Sequence, residues 1–288
     1  MSLSLLTIVR GRQTHLANQF RGLCQSTMSP TEWIIVGMDQ DVDVSEFRQT
    51  KFPIVTARVD GDGKRLPLAE ARNQAAELSR GDTLIFLDVD CIPSAHMIER
   101  FAEVTQTHAR LWMGSPRYLP EGVTKGNWDL VELDRIAVQH PLQPCLQENE
   151  QLVSSRYELF WSLCFAIRKD DFERLGKFDE QYRGYGGEDT DFAFSARRIG
   201  LPFAFVDAVA FHQYHAVYKP PMNHLVDVVS NARRFRQKWG VWPMESWLSA
   251  FANEGLVRFD PINDQLELLR KPTSDQIEQS LTQTPAGF

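Results

Sequence analysis

The sequence predicts an α/β protein whose mostly parallel sheet is flanked by helices. Continuous apolar runs such as Leu3–Val9 and Thr83–Leu87 are typical of strands that are buried on both faces, as in a parallel sheet. These runs alternate along the chain with segments of helical periodicity, which is the pattern of β-α-β units. The length of 288 residues, of which 43% are hydrophobic, allows one large α/β domain and an extension.

The amino-terminal part of the chain predicts the element order β-α-β-β-α-β-α. Gly61, Gly63 and Gly81 punctuate this order, because glycine favours turns and helix ends. Ser94 is predicted to cap the helix that follows the last of these strands. The predicted strands are residues 3–9, 33–36, 54–58 and 83–87, and the predicted helices are residues 15–23, 68–78 and 94–105.

The second half of the chain is less regular. Residues 114–150 show weak periodicity with scattered proline and glycine, so we expect loops that cover a site. A helix is predicted at residues 190–199, and the apolar run at residues 202–211 is predicted to end in a strand. Residues 225–239 have the pattern of an amphipathic helix that belongs to an extension.

The composition and charge exclude several classes of function. A net charge of −7 argues against binding through nucleic-acid phosphates, and no apolar run approaches the length of a membrane span. The apolar start is followed by Arg10 and Arg12 instead of being preceded by them, which is the reverse of a signal peptide. The four cysteines lie far apart without metal-type spacing. We therefore expect a cytoplasmic protein with free thiols.

Two carboxylates follow the predicted strand at residues 83–87. Asp88 and Asp90 lie where this strand ends, at the edge where open α/β sheets bind their ligands. They either cap the next helix or hold a positive charge. Because an Asp-x-Asp pair at a strand end suits a divalent cation bridging a diphosphate, the sequence predicts a cation site here.

A second acidic group follows a glycine-rich turn. Residues 183–191 read R-G-Y-G-G-E-D-T-D, and the glycines permit close approach of the backbone to a ligand. Glu188 and Asp189 either stabilise the start of a helix or accept protons from hydroxyl groups. The aromatic ring of Tyr185 beside two carboxylates favours a sugar site, since a ring can stack on the apolar face of a sugar.

A pair of histidines, His212 and His215, follows the apolar run at residues 202–211. If both leave the end of a strand on one loop, they can converge on a metal ion. Histidines of the core or the surface are the alternative. Histidine suits a borderline cation such as Mn²⁺ better than Mg²⁺, so Mn²⁺ is the predicted cofactor and Mg²⁺ the alternative.

Together these motifs resemble those of the GT-A glycosyltransferases, specifically glycosyltransferase family 2 and the carboxyl-terminal half of the β-1,4-galactosyltransferases. The resemblance covers residues 3–215. Ala71-Arg72-Asn73 with residues 86–90 resembles the donor-binding half of family 2, and residues 160–168 resemble the strand under the acceptor site. Residues 178–192 are similar to the galactosyltransferase motif, with Tyr185 where that family has tryptophan. His212, where that family often has methionine, and His215 match its two metal ligands.

The resemblance implies a GT-A fold, which is Rossmann-like, and a division of the chain. Residues 1–218 are expected to form the catalytic domain, with a nucleotide-sugar-binding half at 1–113 and an acceptor and metal half at 151–218. Residues 219–288 are expected to form a helical extension. Its tryptophans, Trp239, Trp242 and Trp247, either pack the extension onto the domain or dock at the inner face of a membrane, near a lipid-linked acceptor.

The resemblance also implies an inverting, metal-dependent hexose transfer. The donor is a nucleotide diphosphate-sugar such as UDP-galactose or UDP-N-acetylhexosamine, and the acceptor is a hydroxyl of a saccharide or of a lipid-linked molecule. Asp189 is the implied catalytic base. The implied metal ligands are Asp90, His212 and His215; the donor-binding residues are Arg10, Asp39, Arg72 and Asp88; the acceptor-binding residues are Glu188, Tyr185, Gly186, Gly187 and Trp161.

Several of these assignments keep an alternative. Arg72 can be a solvated charge on a helix, Trp161 can belong to the core, and Asp179 and Asp191 are interpreted as capping or turn residues. A sugar-phosphate nucleotidyltransferase would share the sheet and the diphosphate chemistry. Such enzymes usually carry a glycine-rich basic loop after the first strand, where this chain has Gly11 alone. A non-catalytic carbohydrate-binding relative is the third interpretation.

Overall fold

The structure, a computed structural model, describes residues 2–48 and 50–282. The last six positions of the extension expected at residues 219–288 therefore lie outside the described residues. The strands are β1 (Leu3–Val9), β2 (Glu32–Met38), β3 (Ile54–Val59), β4 (Thr83–Leu87), β5 (Cys91–Pro93), β6 (Leu111–Tyr118), β7 (Val138–Gln139), β8 (Gln151–Ser154), β9 (Cys164–Arg168), β10 (Phe203–His212), β11 (Val217–Tyr218), β12 (Val257–Asp260), β13 (Gln265–Leu268) and β14 (Leu281–Thr282).

Helices lie between and after these strands. They are α1 (Gln13–Cys24), α2 (Leu68–Leu78), α3 (Met97–Thr107), α4 (Leu130–Ile136), α5 (Lys169–Leu175), α6 (Glu188–Arg198), α7 (Leu225–Trp239), α8 (Glu245–Asn253) and α9 (Ser274–Gln279). Short 3-10 helices occur at Tyr157–Leu159 and Met222–His224. Among the described residues, none of the helices combines the length and the apolar character that crossing a bilayer requires.

A ten-stranded sheet forms the centre of the domain: eight strands follow the order β3-β2-β1-β4-β9-β6-β10-β5, β7 pairs with β6, and β8 pairs with β10. Strands β1 to β4 run parallel to one another, while β9 is antiparallel to both β4 and β6. Apolar clusters lie on both faces of the sheet, one including buried residues of α2, α5 and α6 and the other including those of α1 and α3. The predicted α/β architecture is therefore confirmed.

The helix predicted at residues 94–105 begins three residues later, at Met97. The reason is the short strand β5, which pairs antiparallel with the end of β10. Its pairing fixes the chain up to Ser94, whose backbone N–H donates to the carbonyl of Val209 at 3.0 Å. Ser94 therefore does not cap α3, and that prediction was wrong.

The interpretation of residues 114–150 as loops was wrong for their first part. Strand β6 runs through Gly114 and Pro116 to Tyr118, residue types that normally interrupt strands. A Cβ at Gly114 would lie 2.5 Å from the carbonyl oxygen of Ala208, so only glycine allows β10 to approach here. Pro116 pairs with Ala210 of β10, whereas β9 pairs with β6 only before Gly114. The missing N–H of Pro116 therefore interrupts no pairing with β9.

The extension after residue 218 contains more than helices. Besides α7, α8 and α9 it includes the β12–β13 hairpin, and β14 pairs with β11 of the domain. Alternating apolar residues of the hairpin help to close a separate apolar cluster with α7 and α8. The contacts of the three tryptophans favour packing onto the protein: Trp239 meets Phe194, Trp242 meets Phe259, and Trp247 meets Tyr185.

Asp191 anchors the extension to the domain. It is only 1% exposed, and its Oδ2 accepts a hydrogen bond from Lys238 Nζ of α7 at 2.8 Å. Its Oδ1 accepts bonds from Tyr182 Oη at 3.0 Å and from Trp239 Nε1 at 2.7 Å. The interpretation of Asp191 as a capping or turn residue was wrong, because its side chain reaches inward to partners that follow it by 47 and 48 positions.

Asp179 combines a turn role with a second link to α7. Its Oδ1 accepts from the backbone N–H of Gln181 at 3.1 Å, which is the bond of an Asx turn. Its Oδ2 accepts from Arg234 at 2.6 Å and from Lys238 at 3.1 Å. The turn interpretation of Asp179 is therefore confirmed, and the ion pairs add a contact with the extension.

Substituting Asp191 with alanine tests whether this network holds the extension in place. Asp191→Ala leaves Tyr182 and Trp239 without their acceptor and Lys238 without one of its ion-pair partners. We expect the free energy of unfolding to fall by about 3 kcal/mol, as for other broken buried pairs. Urea denaturation measures this change. The control Glu278→Ala, at an exposed position of α9, should cost less than about 0.5 kcal/mol, and an equal loss in both variants would contradict the role of Asp191.

Candidate active site

Polar side chains gather at the carboxyl ends of the parallel strands. Arg10 follows β1, Asp39 follows β2, and Asp88 and Asp90 follow β4. Because neighbouring parallel strands end at the same edge of the sheet, these residues share one edge, the usual ligand edge of an open α/β sheet. The strand pairing therefore brings together residues that are up to 80 positions apart in the chain.

Asp90, His212 and His215 form a cluster in which the potential ligand atoms all lie within 4.8 Å of one another. The His215 Nε2 lies 3.4 Å from the Asp90 Oδ2. The cluster forms because β5 directly follows Asp90 and pairs with β10, so that His212 lies opposite Cys91. The backbone N–H of Gln213 completes this junction by donating to the Asp90 carbonyl at 2.6 Å.

The protonation states in this cluster are those that metal ligands require. Burial lowers the pKa of His212 to about 4 and lowers the pKa of His215. Burial alone would raise the pKa of Asp90, but the hydrogen bond from His15 and the nearby His212 and His215 hold it at about 2. A neutral imidazole pair with an ionised carboxylate is the form that binds a divalent cation. This donor set of nitrogen and oxygen fits Mn²⁺.

His15 is a member of the site that the sequence did not reveal. Its Nδ1 hydrogen-bonds the Asp90 Oδ1, and Arg12 Nε lies 3.6 Å from the same oxygen. Both residues stand at the start of α1, three positions apart and thus on one face. They hold one carboxylate oxygen while the other faces His215. In the sequence, the only sign of this role was that Arg12 and His15 lie three positions apart, shortly after a predicted buried strand.

Three of the four predicted donor residues occupy two neighbouring places. Arg10 Nη1 lies 3.3 Å from Asp39 Oδ2, and Asp39 Oδ1 accepts from the backbone N–H of Gly61 at 2.7 Å. Asp88 lies beside the metal cluster and accepts from the Asp90 backbone N–H at 3.0 Å. Burial, followed by the charge of Asp90, raises the pKa of Asp88 to about 6. The structure thus places all three at the strand edge, and their roles stay predictions.

Arg72 links the two acidic groups of the site. Its side chain is buried, so the alternative of a solvated charge was wrong. Arg72 Nη2 donates to Ser162 Oγ at 2.8 Å, and Nη1 lies 3.3 Å from Glu188 Oε1. The Glu188 Oε2 is buried without a hydrogen-bond partner among the residues that the structure describes. A buried acceptor oxygen without a donor is available to a hydroxyl group of a bound molecule.

Asp189 stands at the start of α6, next to Glu188. This helix begins at Glu188 instead of residue 190, because Gly186 and Gly187 take positive φ angles of 96° and 89° that end the preceding turn. Burial, followed by the charge of Glu188, raises the pKa of Asp189 to about 7. The Asp189 Oδ1 accepts from the Thr190 backbone N–H at 2.7 Å. A carboxyl group with this pKa can exchange protons at neutral pH.

Tyr185 and Trp161 are the two aromatic residues predicted to bind the acceptor. Tyr185 is 38% exposed. Burial, followed by the charges of Glu188 and Asp189, raises the pKa of its hydroxyl to about 12, so the hydroxyl stays protonated. Trp161 is partly buried and meets the ring of His140 edge to face, with centroids 4.8 Å apart. Neither ring belongs entirely to the core.

Two protein-family models match this chain. The model for glycosyltransferase family 2 matches residues 56–176. A model described as "N-terminal domain of galactosyltransferase" matches residues 146–220. The first match includes Asp88, Asp90 and Arg72, and the second includes Glu188, Asp189 and the two histidines.

Two characterised synthases share part of their sequence with the chain. Hyaluronan synthase from Pasteurella multocida is 24% identical over 215 residues, which cover 66% of this chain and 22% of that protein. Chondroitin synthase from Pasteurella multocida strain Pm70 is 23% identical over 169 residues, or 51% of this chain and 18% of that protein. The chain thus spans about a fifth of the length of these relatives.

Similar solved structures have the GT-A fold of glycosyltransferases. Residues 1–349 of TarS from S. aureus superpose with a TM-score of 0.56 at 13% identity, covering 82% of this chain and 66% of that one. GalNAc-T7, solved with UDP, GalNAc and Mn²⁺, superposes with a TM-score of 0.54 at 16% identity, covering 88% of this chain and 57% of that one. These structures confirm the predicted fold. The family matches and the related synthases confirm the predicted resemblance and support the predicted class of enzyme, a glycosyltransferase.

Removing one histidine tests the cation site directly. We expect His212→Ala to weaken Mn²⁺ binding by about tenfold or more, because a buried neutral nitrogen ligand is lost. Titration calorimetry with Mn²⁺ measures the affinity, and a thermal scan confirms that the variant is folded. The control is His96→Ala, an exposed histidine on the far side of β5 whose side chain meets Glu99. Equal Mn²⁺ affinities in the two variants would contradict the assigned site.

Proposed function

We propose that this chain, a glycosyltransferase of the GT-A class, transfers a hexose from a UDP-sugar to a hydroxyl group with inversion at the anomeric carbon. The acceptor is a saccharide or a lipid-linked molecule. The observation that carries the proposal is the presence of two chemically distinct acidic groups in one site. Asp90 belongs to a nitrogen-rich cation cluster, whereas Asp189 is a carboxyl group with a pKa of about 7.

The cation cluster supports a diphosphate donor. Asp90, His212 and His215 would hold Mn²⁺, or Mg²⁺ as the alternative, and a bound divalent cation stabilises the negative charge that develops on the leaving diphosphate. TarS has been solved with UDP-GlcNAc and GalNAc-T7 with UDP and Mn²⁺, and these complexes support a UDP-sugar here. Arg12 Nε lies 3.6 Å from Asp90 Oδ1 and would add a positive charge beside the phosphates. The sequence alone assigned no such role to Arg12.

The remaining donor contacts follow from the strand edge. Asp88 is proposed to bind the ribose, because it lies beside the cluster and carries its own acceptor oxygens. Asp39, held by Arg10 and by the Gly61 backbone, is proposed to accept a hydrogen bond from the uracil. Arg10 and Asp39 pair with each other, so Arg10 orients Asp39 at this end of the donor site.

The transfer step requires a base, and Asp189 suits this role. The acceptor oxygen attacks the anomeric carbon from the face opposite the diphosphate, while the bond between that carbon and the diphosphate oxygen breaks. The hydroxyl proton passes to the carboxylate of Asp189. Configuration inverts because attack and departure occur on opposite faces. A pKa near 7 makes the ionised form available at neutral pH and keeps it basic enough to accept the proton.

Glu188 and Arg72 organise the acceptor side. Arg72 fixes one oxygen of Glu188 at 3.3 Å, which leaves the buried, unpaired oxygen to bind an acceptor hydroxyl. The negative charge of Glu188 raises the pKa of Asp189, and the positive charge of Arg72 lowers it. Gly186 and Gly187 join Tyr185 to Glu188 and Asp189, and Trp161 precedes Ser162, which accepts a hydrogen bond from Arg72. The acceptor site is thus proposed around the start of α6. The cytoplasmic location stays a prediction from the sequence.

Replacing the proposed base tests the reaction. Asp189→Asn keeps the size of the side chain but cannot accept a proton, so we expect kcat for hexose transfer to fall by about 10²–10⁴-fold. The affinity for UDP with Mn²⁺, measured by calorimetry, should change by less than about twofold, since the cation cluster lies on other elements. Asp170→Asn, at an exposed acid of α5, is the control.

Binding and activity assays distinguish this function from a non-catalytic relative and from a nucleotidyltransferase. A wild-type chain that binds no UDP-sugar in the presence of Mn²⁺ and turns none over would support a non-catalytic relative. Release of pyrophosphate from UTP and a sugar phosphate would support a nucleotidyltransferase. Retention of transfer activity in Asp189→Asn would exclude Asp189 as the base.

The pH dependence of transfer provides a second test. Because only the ionised carboxylate accepts a proton, kcat should rise as the pH increases through about 7 and then level off. The rates are measured at saturating donor and Mn²⁺, so that binding does not set the profile. In Asp189→Asn the residual rate should lose this step. A step of equal height and midpoint in the variant would show that another group titrates.

A further inference from the structure

The chain beyond residue 220, which lies outside both family matches, contacts the glycine-rich loop at residues 183–187. The contacts come from α7, from Met244 at the start of α8, and from the 3-10 helix Met222–His224. This loop leads directly to Glu188 and Asp189 at the start of α6. The extension is therefore in a position to determine the shape of the proposed acceptor site.

Asn231 of α7 holds the backbone of this loop. Its side chain is only 2% exposed, and its Nδ2 donates to the carbonyl oxygens of Arg183 at 3.1 Å, Tyr185 at 3.4 Å and Gly186 at 2.9 Å. Because the amide group has two N–H hydrogens, one of them is shared between two carbonyls, and the loop must curl around the amide to bring all three within reach. Because buried carbonyl groups need a donor, Asn231 selects this loop conformation over others.

At two glycine positions of the loop, contacts with the extension leave no room for a side chain. A Cβ at Gly186 would lie 2.9 Å from the Met244 sulfur, and one at Gly184 would overlap the carboxylate of Asp227. Both glycines also have positive φ angles, of 96° and 72°. The glycine-rich sequence is therefore matched to a surface that the extension supplies.

The extension also holds the ring of Tyr185. His224 stacks on this ring with centroids 4.7 Å apart and an interplanar angle of 25°, and Trp247 of α8 stacks on it at 5.8 Å and 20°. Stacked aromatic pairs contribute about 0.5–1.5 kcal/mol beyond their buried area. Tyr185 is nevertheless 38% exposed, so part of it stays available to a ligand. Its orientation thus depends on two residues that follow it by 39 and 62 positions.

We infer that the extension is part of the acceptor site, in which Asn231, His224 and Trp247 are positioning residues that hold loop 183–187 and Tyr185 for a saccharide acceptor. This inference rests on the proposed function. The chemistry of the loop fits a sugar: the Glu188 oxygen that has no hydrogen-bond partner among the described residues can accept from a hydroxyl group, and the exposed part of the Tyr185 ring offers apolar contact to C–H groups.

The test compares two tryptophans of the extension. Trp247→Ala removes the stack on Tyr185, whereas the matched control Trp242→Ala removes a ring that meets Phe259 away from the loop. Transfer is measured with saturating UDP-sugar and Mn²⁺ and with p-nitrophenyl β-galactoside, β-glucoside and β-N-acetylglucosaminide as acceptors. We expect Trp247→Ala to raise the acceptor KM by about tenfold, whereas Trp242→Ala should raise it by less than about twofold. The donor KM should stay within about twofold in both.

A second variant covers the case in which Trp247→Ala does not fold. Asn231→Leu keeps the number of side-chain heavy atoms but has no donor, so the three loop carbonyls lose their shared partner. We expect the acceptor KM to rise or kcat to fall by about tenfold, with the affinity for UDP and Mn²⁺ within about twofold by calorimetry. A variant that weakens donor and acceptor binding equally would indicate a merely structural role and overturn the inference.

The possible failures are distinguishable. If the wild-type chain turns over no UDP-sugar, the proposed function fails and the inference falls with it. If it hydrolyses the donor but glycosylates none of the three saccharides, the assignment of a saccharide acceptor is overturned. If it is active and the acceptor KM in Trp247→Ala and in Asn231→Leu equals that of the Trp242→Ala control, the inference alone is overturned.

Discussion

The antiparallel pairing of β5 with the end of β10 is the contact on which the site depends. It places His212 opposite Cys91, so that Asp90 meets two histidines more than a hundred positions further along the chain. The fully buried Gln213 secures this junction, because its side chain donates to the carbonyl of His15 and its backbone N–H donates to that of Asp90. Without this pairing the cluster of Asp90, His212 and His215 would not form.

The residues that carry the proposed chemistry could be identified from the sequence because they lie at the boundaries of regular elements, either after a strand or at the start of a helix. Asp88 and Asp90 interrupt an apolar strand, and Glu188 and Asp189 follow glycines at a helix start. Such breaks in pattern are local, so they are visible without a fold. The convergence of these groups at one sheet edge then follows from parallel strand order. Asp90, His212 and His215 lie together in the structure, and their role as metal ligands stays a prediction.

Contacts that depend on tertiary partners could not be predicted from the sequence. His15 looked like an ordinary residue at the start of a helix, and only the fold shows that its ring meets Asp90. Asp191 had the pattern of a helix cap, yet its partners lie on α7. Strand β6 was missed because Gly114 and Pro116 weaken strand propensity, while close packing against β10 requires the glycine. In each case a long-range partner outweighs the local preference.

A crystal structure with UDP and Mn²⁺ tests the central claim most directly, because it would show where the ion lies relative to the two acidic groups. The account predicts one Mn²⁺ bound by Asp90, His212 and His215 and by both phosphates of UDP, with Asp189 free of the ion and facing the acceptor side. UDP bound at another edge of the sheet, or an ion held by Asp189 instead of the histidines, would contradict it.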